Sequence, residues 1–190
     1  MAPTLEVMRL TGAASGLGAT TNTNITSAVN LADASDSASD AGANPITVPG
    51  SGSNYSYWVT TQLNVTVAAP DLVFNLSVSP GVNSSPGGTG VDCRGGITNS
   101  GAQYVQATGT AGTTGTELTT GNYAAVATVY SSIFTSIGTG GISVQGTQAS
   151  TGQFGGYFVY QISVASTASA GYLPNWTSAN FTNTWSYSYN

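Results

Sequence analysis

Residues 54–67 read NYSYWVTTQLNVTV, and their alternation restricts the fold more than any other stretch of the chain. The odd positions Tyr55, Tyr57, Val59, Thr61, Leu63, Val65 and Val67 make one largely apolar face. The even positions Asn54, Ser56, Trp58, Thr60, Gln62, Asn64 and Thr66 are mostly polar. A side-chain period of two, held this long, specifies a half-buried β-strand with its odd face on a core and its even face in solvent.

The same alternation recurs from Pro45 onward, with strands expected near 54–67, 72–79, 103–108, 123–134, 142–149, 156–165 and 180–189. Weaker ones fall near 46–49 and 90–98. Glycine-rich turns separate them, as in SPGVNSSPGGTG at 79–90 and GTAGTTGTE at 109–117. Within strands, Leu72, Phe74, Leu76 and Val78 share a face, as do Phe158, Tyr160, Ile162 and Val164. Phe181, Trp185, Tyr187 and Tyr189 do the same in the last strand. Many short strands without a convincing helix predict an all-β chain, a jelly-roll or immunoglobulin-like β-sandwich over 46–190. Residues 1–45 read as an extended N-terminal arm: the apolar segment TLEVMRL, then Gly, Ala, Ser, Thr, Asn and Asp in a linker composition. NITSAVNL could add one weak strand there.

Composition narrows the chemistry. Only 5% of the 190 residues are charged, and there is no lysine and no histidine. Arg9 and Arg94 are the only basic side chains against seven acids, so nucleic-acid binding, which needs clustered cations, is not expected. No apolar run reaches the roughly 18–20 residues of a spanning helix, so membrane insertion is not expected either. Ser-His, Cys-His and Ser-Lys nucleophile pairs cannot be assembled. Cys93 is the only cysteine, which excludes an internal disulfide. Its neighbours Asp92 and Arg94 place charge beside the thiol, yet a small half-buried residue is the plainer reading. Asp92 is expected to pair with Arg94, and Asp71 and Glu117 to sit at turns, which leaves no opposed carboxylate pair for glycoside hydrolysis. Asp33, Asp36 and Asp40 match no calcium-loop spacing. No catalytic residue, cofactor or metal is expected.

The chain holds seven Asn-X-Ser/Thr acceptor triplets, at Asn24, Asn54, Asn64, Asn75, Asn83, Asn175 and Asn180, where chance would give about three. Alternation places Asn24, Asn54, Asn64, Asn75 and Asn180 opposite apolar faces, and Asn83 and Asn175 fall in turns. Each is therefore expected where a glycan could project into solvent.

The segment TLEVMRL, the linker-like stretch 11–45 and a sandwich ending in FTNTWSYSYN together resemble subunits of surface filaments that assemble by donor-strand exchange. ISVASTASAG before a final strand also looks like the closing hairpin of immunoglobulin-like surface domains. Type IV pilins are disfavoured, because their long apolar N-terminal helix is missing. The resemblance implies a non-enzymatic, self-assembling homopolymer, extracellular or on a cell surface, with covalent N-glycans and with copies of itself as partner. Residues 4–10 would then be the intermolecular strand, inserting Leu5, Val7, Met8 and Leu10, with Glu6 and Arg9 setting register at the rim. Two alternatives stand beside it. One is a virion capsid, decoration or tail subunit, favoured by a start, MAPTLEVMRL, without a signal-peptide core. The other is a carbohydrate-binding module that stacks Trp58 and Trp176 on sugars.

Overall fold

A computed structural model describes residues 2–12, 21–24, 46–68, 72–80, 89–110, 114–137, 141–169 and 183–190, with the backbone alone for 21–23, 75, 80 and 134. In chain order the strands are β1 (Thr4–Thr11), β2 (Thr21–Asn24), β3 (Ser53–Tyr55), β4 (Val59–Val67), β5 (Val73–Pro80) and β6 (Val91–Thr98). They continue as β7 (Gly109–Thr110), β8 (Thr114–Gly115) and β9 (Val126–Tyr130), then a single helical turn α1 (Ile133–Ser136). β10 (Ile142–Val144), β11 (Gly152–Ala165) and β12 (Asn183–Tyr189) complete the order. The chain is all-β.

The strands form a seven-stranded antiparallel sheet in the order β2-β1-β4-β11-β6-β9, with β3 also on β11, and a three-stranded sheet β10-β5-β12. The inner faces of the two sheets share one core: Val59, Leu63, Val65, Val73, Leu76, Val78, Val91, Cys93, Phe158, Tyr160, Ile162 and Val164. This is the sandwich that alternation predicts, and the Phe158–Val164 row occupies it as expected. Phe158 stacks on Tyr160 and meets Trp185 edge-on, with ring centroids 5.2 and 6.5 Å away.

A second core lies on the other side of the large sheet, where solvent was expected. Leu10, Trp58, Tyr104, Leu118, Tyr123, Val126, Tyr157 and Val159 form it. Its roof is the long excursion between β6 and β9, including the small hairpin β7–β8. The even face of β4 is therefore buried in part: Trp58 is 4% exposed and Thr60 1%. Polar side chains on this face bond the backbone of the excursion rather than water. Gln161, fully buried, accepts from Leu118 N (2.7 Å) and donates to Ser56 O (2.7 Å) and Thr116 O (2.8 Å). Buried amides of this kind are tolerated only when their partners are satisfied.

Several expected strands are shorter or absent. Residues 56–58 interrupt the 54–67 run, because Ser56 Oγ accepts from Ile162 N and donates to Tyr57 O. Residues 103–108 make no ladder; they cross the sheet as part of its roof, burying Tyr104 and Ala107. The 123–134 run splits into β9 and α1, and 142–149 keeps three ladder residues plus a bridge from Gln148 to Val73. Residues 46–49 are not a strand, although Ile46 and Val48 pack on the inner core.

The β5 row also shifts. Val73 is fully buried, and Leu72 and Phe74 only half-buried, because the β5–β12 register slips between Ser186 and Ser188. Tyr187 and Tyr189 are 38% and 49% exposed, so of the expected aromatic row on β12 only Trp185 reaches the core, and Phe181 lies outside the described residues. β11 carries its own irregularity against β4, between Phe154 and Phe158. Gly155 takes φ +80° there, and a Cβ on Gly156 would collide with Thr98 O. Only glycine fits both positions.

Candidate functional site

The N-terminal arm is the most specific feature of the sequence, and its first strand lies in the large sheet. β1 pairs antiparallel with β4, setting Leu5 opposite Val65, Val7 opposite Leu63, Met8 opposite Gln62 and Leu10 opposite Thr60. On its other side β1 pairs with β2, so residues 4–24 add two strands beyond β4. In the single chain Leu5, Val7, Met8 and Leu10, expected to reach a neighbour, pair within their own sheet. The boundary at residue 45 does not separate β1 and β2 from the sandwich. The physical reason is that closing a long loop adds little entropy cost per added residue, while return buries the strand.

Each face of β1 fills a different core. Leu5 and Val7 pack on the inner core, and Leu10, 3% exposed, joins the outer one. Arg9 is also corrected: it is 2% exposed, not at the rim, and follows Leu5 and Val7 on the inner face. Burial drives the Tyr160 hydroxyl well above its ordinary pKa, and the charge of Arg9 acts in the opposite sense. The alternation Leu5-Val7-Arg9 in the sequence already places the guanidinium on the core side.

Groups with chemical potential are otherwise committed to structure. Cys93 is fully buried, and burial, then Asp92, pushes its thiol far from the reactive range. Asp92 does not pair with Arg94; its Oδ1 accepts from Cys93 N (2.8 Å). Arg94 Nη2 instead meets Glu117 Oε1 at 3.0 Å, while Nε and Nη2 donate to Leu118 O at 3.3 Å. Its guanidinium carbon sits 6.0 Å from the Tyr55 ring centroid. The pair thus ties the excursion to β6. Asp33, Asp36, Asp40 and Asp71 lie outside the described residues, and among the described residues no three His, Cys, Asp or Glu side chains gather as a metal site.

Trp58 cannot serve as a sugar platform. Its Nε1 donates to Val105 O (2.9 Å) and its ring packs 5.6 Å from that of Tyr123. Trp176 lies outside the described residues. An open groove of about 580 Å³ borders Leu72, Phe74, Ser143, Val144, Thr147 and Asn190, without a charged side chain in its lining. No helix among the described residues is long and apolar enough to cross a membrane.

Of the acceptor asparagines, Asn24 is exposed and Asn54 and Asn64 are half-buried. The side chain of Asn75, and Asn83, Asn175 and Asn180 altogether, lie outside the described residues. Comparison with protein-family models, curated proteins and solved structures finds no match to this chain.

Proposed function

We propose that the chain is a non-enzymatic structural subunit that self-assembles head-to-tail into an extracellular, N-glycosylated filament by donor-strand complementation. One observation carries this reading: the β4 edge of the sandwich is completed only by the chain's own N-terminal hairpin, β1 with β2. Remove that hairpin and β4 becomes an open edge, the kind that binds an extended strand through main-chain hydrogen bonds. The slot also demands side chains of a particular kind, since Leu10 and Arg9 fill both cores.

Residues 25–45 join the hairpin to the sandwich, and fully extended they could span roughly 70 Å. The hairpin of one copy could therefore occupy the slot of the next with the same register and the same contacts. Exchange of that kind does not close on itself and propagates into fibres. Low charge suits subunits packed against their own copies, and the excess of acceptor triplets suits an extracellular surface.

The test uses the register. Met8 and Gln62 are Cα partners, within the range that a disulfide bridges. Chains carrying Met8→Cys and chains carrying Gln62→Cys are mixed, assembled and oxidised. A disulfide joining the two kinds of chain is expected. Assembly without that cross-link would eliminate β1 as the exchanged strand, and a protein that stays monomeric at every concentration would eliminate the filament.

A further inference from the structure

The outer face of the seven-stranded sheet is roofed along part of its length. Residues 99–110 and 114–125 cover Trp58, Thr60, Tyr157 and Val159. Past Gln62 the same face of β4 continues into a polar row that crosses three strands: Glu6 on β1, Asn64 on β4 and Gln153 on β11. Gln153 is exposed, Glu6 and Asn64 are half-buried, and Thr66, two positions on, is exposed. Among the described residues the carboxamide of Asn64 takes part in no hydrogen bond. A half-buried amide without a partner among the described residues, just past the roofed part of the face, points to something outside the chain.

Asn54 is the opposite case. Its Nδ2 donates to Thr47 O (2.9 Å) and Thr47 Oγ1 (3.2 Å). The hydroxyl of its triplet, Ser56, is 2% exposed and bound to both Tyr57 O and Ile162 N. A sugar on Asn54 would replace one of the two hydrogens that Thr47 holds, in bonds that are themselves exposed. Asn64 has no such bond to lose, and its triplet hydroxyl, Thr66 Oγ1, makes only an exposed contact to Thr4 O at 3.2 Å.

We propose that Asn64 carries an N-linked glycan and that Asn54 stays bare, so that sugar covers the part of the sheet face that residues 99–125 leave open. The inference rests on the extracellular reading above and names its site. The reaction requires a diphosphate-linked oligosaccharide donor and its transferase. Asn64 Nδ2 attacks the anomeric carbon, and the new C–N bond replaces the C–O bond to the diphosphate. The diphosphate carrier leaves with the electron pair, and one Nδ2 proton passes to base. The attached sugar would then lie over Glu6, Met8 and Gln153, its own neutral hydroxyls beside a surface with few charges.

Peptide mass mapping of the native protein tests this directly. The Asn64 peptide should carry a glycan mass and the Asn54 peptide none. Asn64→Gln and Thr66→Ala, made in the native host, should each remove that mass completely, while Asn54→Gln leaves it unchanged. Circular dichroism of each variant checks that the fold persists. A bare Asn64, or a glycan on Asn54, overturns the proposal. Microscopy of the same preparation separates the two readings: filaments with a bare Asn64 sink this inference alone, whereas glycosylated protein that never polymerises sinks the filament and leaves Asn64 standing.

Discussion

The face of the large sheet that meets β5, β10 and β12 is lined mainly by valine, leucine, isoleucine and phenylalanine, with Arg9, Thr61 and Tyr160 buried among them. The face beneath residues 99–110 and 114–125 combines Trp58, Leu118, Tyr123, Tyr157 and Val159 with buried Thr60, Thr98 and Gln161. The first is sealed by another sheet, whose backbone is already satisfied by its own ladders. The second is sealed by irregular chain, whose peptide groups need partners that the sheet's side chains must supply. Hence the polar residues of the outer face are buried as donors and acceptors, not displayed to water. A polar strand face tells what its cover lacks, as much as whether it is wet.

The contrast is sharpest at single residues. Phe158→Ala removes a fully buried ring from the inner core and should destabilise the protein by about 3–5 kcal/mol in urea unfolding. A much smaller loss would mean that the two sheets are not sealed together at that point.

Gln161→Met probes the outer layer at nearly constant volume. It strips partners from Leu118 N, Ser56 O and Thr116 O, and a loss of about 2–3 kcal/mol is expected. Faster amide exchange at Leu118 should accompany it while the β5–β12 amides stay protected. Equal loosening of both layers would erase the distinction drawn between them.

The third test is alkaline. Burial in the outer layer raises the Tyr123 hydroxyl to about 12, from 10 in the unfolded chain. The folded state thus holds the proton more tightly, so this contribution is fully present below pH 10. It is lost as pH rises toward 12, at up to about 1.4 kcal/mol per pH unit. Tyr123→Phe should flatten that part of the pH–stability curve, measured by urea unfolding at each pH. An unchanged slope would mean that the phenol is not sealed beneath the excursion.

What was legible in the sequence follows from local stereochemistry. Alternation in β4 and in the second half of β11 identified strands and the inner row of side chains, because a period of two needs no knowledge of the partner. The same period sets Leu5, Val7 and Arg9 on one face of β1, although Arg9 was expected at the rim. The outer core left a fainter trace, Tyr157 and Val159 on the face opposite Phe158 and Tyr160, the continuous apolar run of a strand covered on both sides. Of the proposed assembly site, the segment 4–10 was evident as apolar and remote, and its slot beside β4 was not. Which edge a strand completes depends on main-chain groups that every residue carries alike, so sequence is nearly silent on it. The same is true of Asn54 and Asn64. Their triplets read alike in one dimension, and only the folded chain, by bringing Thr47 to one and no bonding partner among the described residues to the other, made them different.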